Sequence, residues 1–211
     1  MNNSKVVIID YGSGNLRSVF NALESVKNSD QQILISSNSS NLKDASHIIL
    51  PGVGAFKDCM KGLLSCPNMI EEIKLQIQKG KKFLGICVGM QLLADVGFED
   101  GETAGLGLIK GKVKRLNNDQ GELKIPHIGW NNLNILRSHS ILEGIKENDH
   151  AYFVHSYYFE LEDTNNALAQ SSYGSNKINA VIAKNNIIAT QFHPEKSAEA
   201  GLKLLKNFIN L

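Results

Sequence analysis

Apolar runs of strand length alternate with helical periods through the first half of this chain, and that alternation leaves few folds open. Lys5–Asp10 (KVVIID) is a β-branched run of the kind that lies inside a sheet, buried on both faces. Leu16, Val19, Phe20, Leu23 and Val26 follow at three- and four-residue steps, which puts them on one face of a helix. Ile33–Ser36 and His47–Leu50 read as the next short strands. Met69–Lys79 reads as a helix with Ile70, Ile73 and Ile77 on one side, closed by Gly80, and Lys82–Ile86 as a strand entering the core. Parallel strands can be joined only by a crossover, so strand–helix–strand alternation implies a parallel sheet wrapped by helices with right-handed connections. The second half changes character. Tyr152–Leu161, Asn166–Ser172, Ile178–Ala183 and Ile187–Phe192 are strand-like without helices between them, and Asn185–Asn186 suits a short hairpin turn. Ser197 stands at an N-cap position before a final helix whose buried face is Leu202, Leu205, Phe208 and Ile209. The expectation is one α/β domain over residues 1–211, with a mixed, mostly parallel central sheet flanked by helices.

Composition narrows the function classes. A chain of 211 residues can bury roughly 70% of its unfolded surface without disulfide or metal staples. With 42% hydrophobic and 20% charged residues, it is not disordered. Lys plus Arg number 22 against 21 Asp plus Glu, a balance that argues against a nucleic-acid binder. No apolar run approaches the roughly 18 residues of a membrane span, and MNNSKVVIID reads as a strand and not a signal peptide. The three cysteines, Cys59, Cys66 and Cys87, are too sparse for a disulfide framework, so the expected compartment is the reducing cytoplasm. The six histidines and the cysteines lack paired ligand spacing, so neither a metal site nor a cofactor is expected. Tyr11-Gly12-Ser13-Gly14-Asn15 is not a dinucleotide fingerprint, because Arg17 occupies the third glycine position and Ser36-Ser37-Asn38 offers no acid for a ribose.

Three segments could carry chemistry. Gly85-Ile86-Cys87-Val88-Gly89 follows a strand and precedes the helical stretch Met90–Asp95. A nucleophile on such a turn is held in a strained backbone, flanking glycines relieve the clashes, and helix N-terminal amides favour a thiolate. A buried structural cysteine fits the same motif. His193-Pro194-Glu195 follows the last strand, and in an extended segment residues i and i+2 share a side, about 6.5–7 Å apart. Glu195 could then hold the imidazole of His193 in one tautomer while its other nitrogen faces a thiol; by itself the tripeptide is also an ordinary loop. Pro51-Gly52-Val53-Gly54 can turn its N–H groups toward an anion, so this loop could supply oxyanion donors together with the Val88 N–H. Alone, it is also a plain strand-to-helix turn.

The combination resembles the class I (triad) glutamine amidotransferases. The resemblance rests on Gly-Ile-Cys-Val-Gly-Met-Gln (85–91) and Thr-Gln-Phe-His-Pro-Glu-Lys-Ser (190–197). Within them it is similar to the histidine-pathway glutaminase subunits, since Met90 stands where relatives for other pathways carry histidine. Segments 11–18, 51–56, 105–109, 126–131 and 152–158 agree as well. Departures are small: Ser13 is often methionine or proline in the family, and Val88 is often leucine.

The resemblance implies Cys87 as nucleophile, His193 as general base and acid, and Glu195 as its orienting partner. It implies oxyanion donors at Gly52, Val53 and Val88, and L-glutamine held by Gln91, His155, Ser156 and Tyr157. For His155 alone, a solvated strand histidine is the competing reading. The resemblance also implies a (β/α)8-barrel cyclase as partner in a heterodimer, no nucleic acid, no membrane and no cofactor. His127–Trp130 and Tyr11–Asn15 correspond to surfaces near that partner, although Trp130 also fits a structural role. The glycines of the Pro51–Gly54 loop make a peptide flip sterically cheap, so the loop reads as a switch. Because the matching motifs run from Tyr11 to Glu195, the chain is expected to release ammonia to another polypeptide. A paralogous glutaminase feeding amidino-sugar synthesis keeps the same fold and site. A non-catalytic relative would need a broken triad, and a redox or chaperone-like elbow protein would not need His-Pro-Glu.

Overall fold

The computed structural model describes residues 4–211, so Met1–Asn3, where the reading of the N-terminus begins, lie outside the described residues. Strand β1 (Ser4–Ile9) buries Val6 to Ile9 completely, as a β-branched run in the middle of a sheet must. Helix α1 (Leu16–Val26) buries Val19, Ala22 and Leu23, with Leu16, Phe20 and Val26 at the margin of the same stripe. Strands β2 (Gln31–Ser36) and β3 (His47–Gly52) pair in parallel on either side of β1. Helix α2 (Phe56–Ser65), which the sequence reading passed over, buries Phe56, Cys59, Met60 and Leu63 at the three- and four-residue steps of an amphipathic helix. Helix α3 (Met69–Gln78) ends before Gly80, whose φ of +87° takes the left-handed conformation that stops helices. Strand β4 (Lys82–Cys87) pairs in parallel with β3.

Helix α4 (Val88–Gln91) corrects the expected Met90–Asp95 stretch, for it starts two residues earlier and lasts one turn. It stops because other backbone claims its downstream carbonyls. Leu106 N–H donates to Leu92 at 2.8 Å, Leu108 to Leu93 at 2.9 Å, Gly107 to Ala94 at 3.0 Å and Gly105 to Asp95 at 2.9 Å. The chain then forms β5 (Val96–Gly97), β6 (Thr103–Ala104), β7 (Gly111–Arg115), β8 (His127–Asn132) and β9 (Asn134–Ile135). Next comes a second correction. The Tyr152–Leu161 run is two strands, β10 (His150–His155) and β11 (Tyr157–Leu161), broken at Ser156. β10 pairs with β8 and β11 with β7, in different sheets, so the chain must turn between them. Leu116 N–H holds the break by donating to the Ser156 carbonyl at 2.9 Å.

Strands β12 (Ala167–Tyr173), β13 (Asn176–Lys184) and β14 (Ile187–Thr190) lead to α5 (Ala198–Ile209). Asn185 turns between β13 and β14 at φ +55°. The main sheet runs β2-β1-β3-β4-β14-β13-β12-β9. Its first five strands are parallel and the last three antiparallel, the mixed, mostly parallel sheet expected. Helix α5 buries Leu204, Leu205, Phe208 and Ile209, with Leu202 only half-buried. Ser197 sits at its N-cap without capping it: the hydroxyl donates to the His193 carbonyl at 2.7 Å and accepts from Tyr152 N–H at 2.9 Å.

Candidate active site

The carboxyl ends of β3, β4 and β14 lie side by side, where open α/β sheets place their ligands. Cys87 closes β4 there with φ +55° and ψ −111°, a sparsely populated conformation that costs on the order of 1–3 kcal/mol. Its neighbours make the turn possible. A Cβ on Gly89 would stand 1.8 Å from the Leu50 carbonyl oxygen, and one on Gly85 would stand 2.7 Å from that of Gly89. No side chain fits at either glycine, so β3 and α4 close tightly around the elbow. Because α4 is a single turn, its contribution to the electrostatics of Cys87 is that of a few orphan N–H groups, less than a long helix dipole.

His193 is the titratable neighbour of the sulfur. Its Nδ1 lies 2.9 Å from Glu195 Oε1, and both side chains are buried, at 2% and 0% exposure. The contact is made by a 3₁₀ turn over Pro194–Lys196 and not by the extended segment expected, because β14 ends at Thr190. The His193 backbone is pinned on both sides, its N–H donating 3.0 Å to the Tyr152 carbonyl and its own carbonyl accepting from Ser197. Burial works against a charge on His193, but the Cys87 sulfur and the Glu195 carboxylate beside it outweigh burial and raise its pKa to about 10. Its Nε2 is buried without a hydrogen-bond partner among the described residues.

Cys87 and His193 share a cavity of about 260 Å³. Val53, Val88, Gln91, His155, Ser156 and Tyr157 line it too, so the sequence-derived candidates from four separate segments converge. Glu195 stands behind His193. Gly52 does not reach the cavity: it pairs with Cys87 in the sheet, tight against Gly89, and Val53 and Gly54 take its place in the wall. The Val53 N–H donates to Ser13 Oγ at 3.3 Å, and Ser13 Oγ–H donates to the Val53 carbonyl at 2.6 Å, so one hydroxyl bonds the two peptide units on either side of Val53.

Glu99, Pro126 and Val154 also line the cavity and escaped the sequence reading. Pro126 stood inside a motif assigned to a partner surface, and Val154 inside a strand run. Glu99 had no local signal, since its carboxylate is fixed only by tertiary contact, Oε2 accepting from Phe56 N–H at the start of α2 at 2.7 Å.

Below the cavity lies a buried polar layer. Gln91 Nε2 donates to the Tyr157 carbonyl at 2.8 Å and to Gln191 Oε1 at 3.1 Å, and Gln191 Nε2 is 3.8 Å from Cys87 Sγ. His155 is buried and its pKa is lowered to about 3, chiefly by desolvation and then by His127 beside it. It is a neutral side chain, not the solvated strand histidine that competed with the substrate-binding reading. Among the described residues, no group of three or more His, Cys, Asp or Glu is placed to hold a metal ion. No described helix is long and apolar enough to cross a membrane.

A sulfur on a strained elbow, an imidazole held by a carboxylate, and a cavity between them are the parts that nucleophilic attack on a carbonyl group requires. The chain belongs to the class-I glutamine amidotransferase family, whose sequence model matches residues 7–211. Within that family it is 50% identical over 201 residues to the imidazole glycerol phosphate synthase subunit HisH of Caldanaerobacter subterraneus subsp. tengcongensis, covering 95% of each chain. It is 44% identical to the subunit of the same name from Pelagibacter ubique, over 98% of this chain and 99% of the relative. The fold also matches a chain in the structure of PurLQS from Thermotoga maritima, with a TM-score of 0.75 at 21% identity, over 99% and 98% of the two chains.

Proposed function

We propose that this chain is the glutaminase subunit of an imidazole glycerol phosphate synthase, a single amidotransferase domain that hydrolyses L-glutamine in the cytoplasm. It passes the ammonia to a (β/α)8-barrel cyclase in a heterodimer, which makes imidazole glycerol phosphate and aminoimidazole carboxamide ribotide for histidine biosynthesis. The observation that carries the reading is Cys87 at φ +55° sharing one cavity with His193, whose Nδ1 is held 2.9 Å from Glu195. The identity to HisH subunits over nearly the whole chain supports the pathway.

The chemistry follows from the geometry. The α-ammonium of glutamine pairs with the Glu99 carboxylate and with the Gln91 Oε1, the end left over once both Nε2 hydrogens are used. Cys87 thiolate adds to the side-chain amide carbon. The oxyanion is held by the Val88 N–H and by the Val53 N–H once that peptide turns away from Ser13. His193 gives its proton to the departing amine as the C–N bond breaks, leaving ammonia and a thioester. Water, deprotonated by the now neutral His193, adds to the thioester, and collapse expels the Cys87 thiolate and frees glutamate, leaving His193 protonated for the next turnover. Ammonia released into bulk water would be protonated and lost as a nucleophile, so a partner must receive it out of water. Three free cysteines suit a reducing compartment.

The test is Cys87→Ala in the reconstituted complex. Glutamine-dependent synthesis should vanish while ammonia-dependent synthesis persists, and a glutamine-mimicking electrophile should label Cys87 but neither Cys59 nor Cys66. Equal loss of both activities would make the cysteine structural and overturn the assignment.

A further inference from the structure

Strand β8 alternates faces, so Ile128 and Trp130 point outward, at 59% and 53% exposure, while His127 is 2% exposed and points in. The inward residue has no role in a surface. It faces His155 across the β8–β10 ladder, where the two are register partners, with His127 Nδ1 3.1 Å from His155 Nε2. The protons in this pair can be assigned from both ends. At one end, Asn131 Oδ1 accepts from Asn132 N–H at 2.8 Å and Asn131 Nδ2 donates to the Ser172 carbonyl at 2.9 Å. The amide therefore presents its Nδ2 to His127 Nε2, 3.3 Å away, and that nitrogen must accept. At the other end, His155 Nδ1 lies 2.9 Å from the Tyr157 carbonyl, which can only accept, so Nδ1 carries a proton. One proton per ring satisfies every contact: Asn131 donates to His127, His127 to His155, and His155 to Tyr157. Any other tautomer sets two N–H groups or two lone pairs face to face.

The chain ends on the atom that orients the pocket. The Tyr157 carbonyl takes two donors, His155 Nδ1 and Gln91 Nε2, and so sets which end of the Gln91 amide faces the cavity. We propose that His127, held by Asn131, is a positioning residue for the glutamine pocket, acting through His155 and the Tyr157 carbonyl on Gln91. The inference rests on reading the cavity as the glutamine site. It also gives His127 a function separate from its packing, which is a stack on Tyr173 at 4.0 Å and on Phe153 at 4.9 Å between ring centroids.

The two functions separate by substitution. His127→Phe keeps the stack and removes the donor; His127→Asn keeps a donor near the Nδ1 position and loses most of the stack. In the full chain carrying Cys87→Ala, which binds glutamine without turnover, calorimetric titration with glutamine should give a Kd raised about tenfold by His127→Phe, the worth of one net hydrogen bond. His127→Asn should bind within a few-fold of the parent and melt at a lower temperature. Phe binding like the parent, or Asn binding as poorly as Phe, would overturn the proposal. If the Cys87→Ala parent binds no glutamine at all, the reading of the cavity has failed instead. Should His127→Phe not fold, the wild-type chain still decides the matter. Its imidazole ¹⁵N shifts should report neutral, Nδ1-protonated rings at both 127 and 155 near pH 7, and an Nε2-protonated ring at either position sinks the relay.

Discussion

His193 carries two opposing influences, and their balance is measurable. Burial alone would strip its proton, as it does for His155, yet the Cys87 sulfur and Glu195 lift it to about 10. Its ¹⁵N shifts should therefore report an imidazolium at pH 8, and Cys87→Ala should lower that pKa, because removing the sulfur leaves burial less opposed. An unchanged value in the variant would mean that Glu195 alone sustains the charge. The sign for stability is that of a base raised in the folded state. The contribution is complete below the ordinary 6.5 and is lost as pH rises toward 10. Glu195→Gln should cut glutamine turnover by about 10²–10⁴-fold, the range for losing an oriented base, with little change in glutamine affinity. Cys87, His193 and Glu195 were legible in the sequence because glycines flank the first and a proline separates the other two. Glu99 was not, since nothing near it in the chain distinguishes it from a surface turn residue.

At the scale of elements, the elbow depends on backbone-to-backbone contact. Gly89→Ala would drive a Cβ into the Leu50 carbonyl, which is main chain and cannot swing aside. A loss on the order of 3 kcal/mol is expected, read as a lower urea midpoint at unchanged slope. The Pro51–Gly54 loop is held differently, by side chains: Tyr11 Oη–H donates to the Pro51 carbonyl at 2.7 Å, Cys59 Sγ lies 3.4 Å from the Val53 carbonyl, and Ser13 bonds Val53 on both sides. Ser13→Ala removes both of its bonds to Val53 and should raise the basal glutaminase rate of the free subunit without shifting its melting temperature by more than a few degrees. A basal rate that stays flat would show that Ser13 does not restrain the loop. Helix periods and β-branched runs located most elements. Helix α2 was passed over although its pattern is local; the other misreadings fell where tertiary pairing overrode local pattern. Tyr152–Leu161 reads as one strand-like run, but its two halves join different sheets, and α4 ends early because residues 105–109 occupy the carbonyls just beyond it.

Across the whole molecule, His47, His127 and His155 are buried and neutral, their pKa values lowered to about 4, 4 and 3, in each case first by desolvation. Unfolding frees them to titrate near 6.5, so the unfolded chain takes up more protons as pH falls. Their contribution is full above 6.5 and drains as pH drops toward 3–4. The urea midpoint should therefore fall between about pH 7 and pH 5, and His47→Gln should flatten that dependence; a midpoint independent of pH would contradict the burial of neutral rings. On the outer face of the same ribbon, exposed Trp130 and Ile128 are suited to anchor the cyclase subunit proposed as partner. Trp130→Ala should weaken the heterodimer by about 30-fold in analytical ultracentrifugation while leaving the fold intact. By itself the sequence determined the alternating α/β order, the cysteine elbow and the imidazole–carboxylate pair, because each is written in residues adjacent along the chain. Only the tertiary structure decided how six distant segments close one cavity, where Glu99 and the His127–His155 pair stand, and what restrains Val53. Those depend on strand register and on which backbone groups find partners across the sheet, and neither is encoded within any one segment.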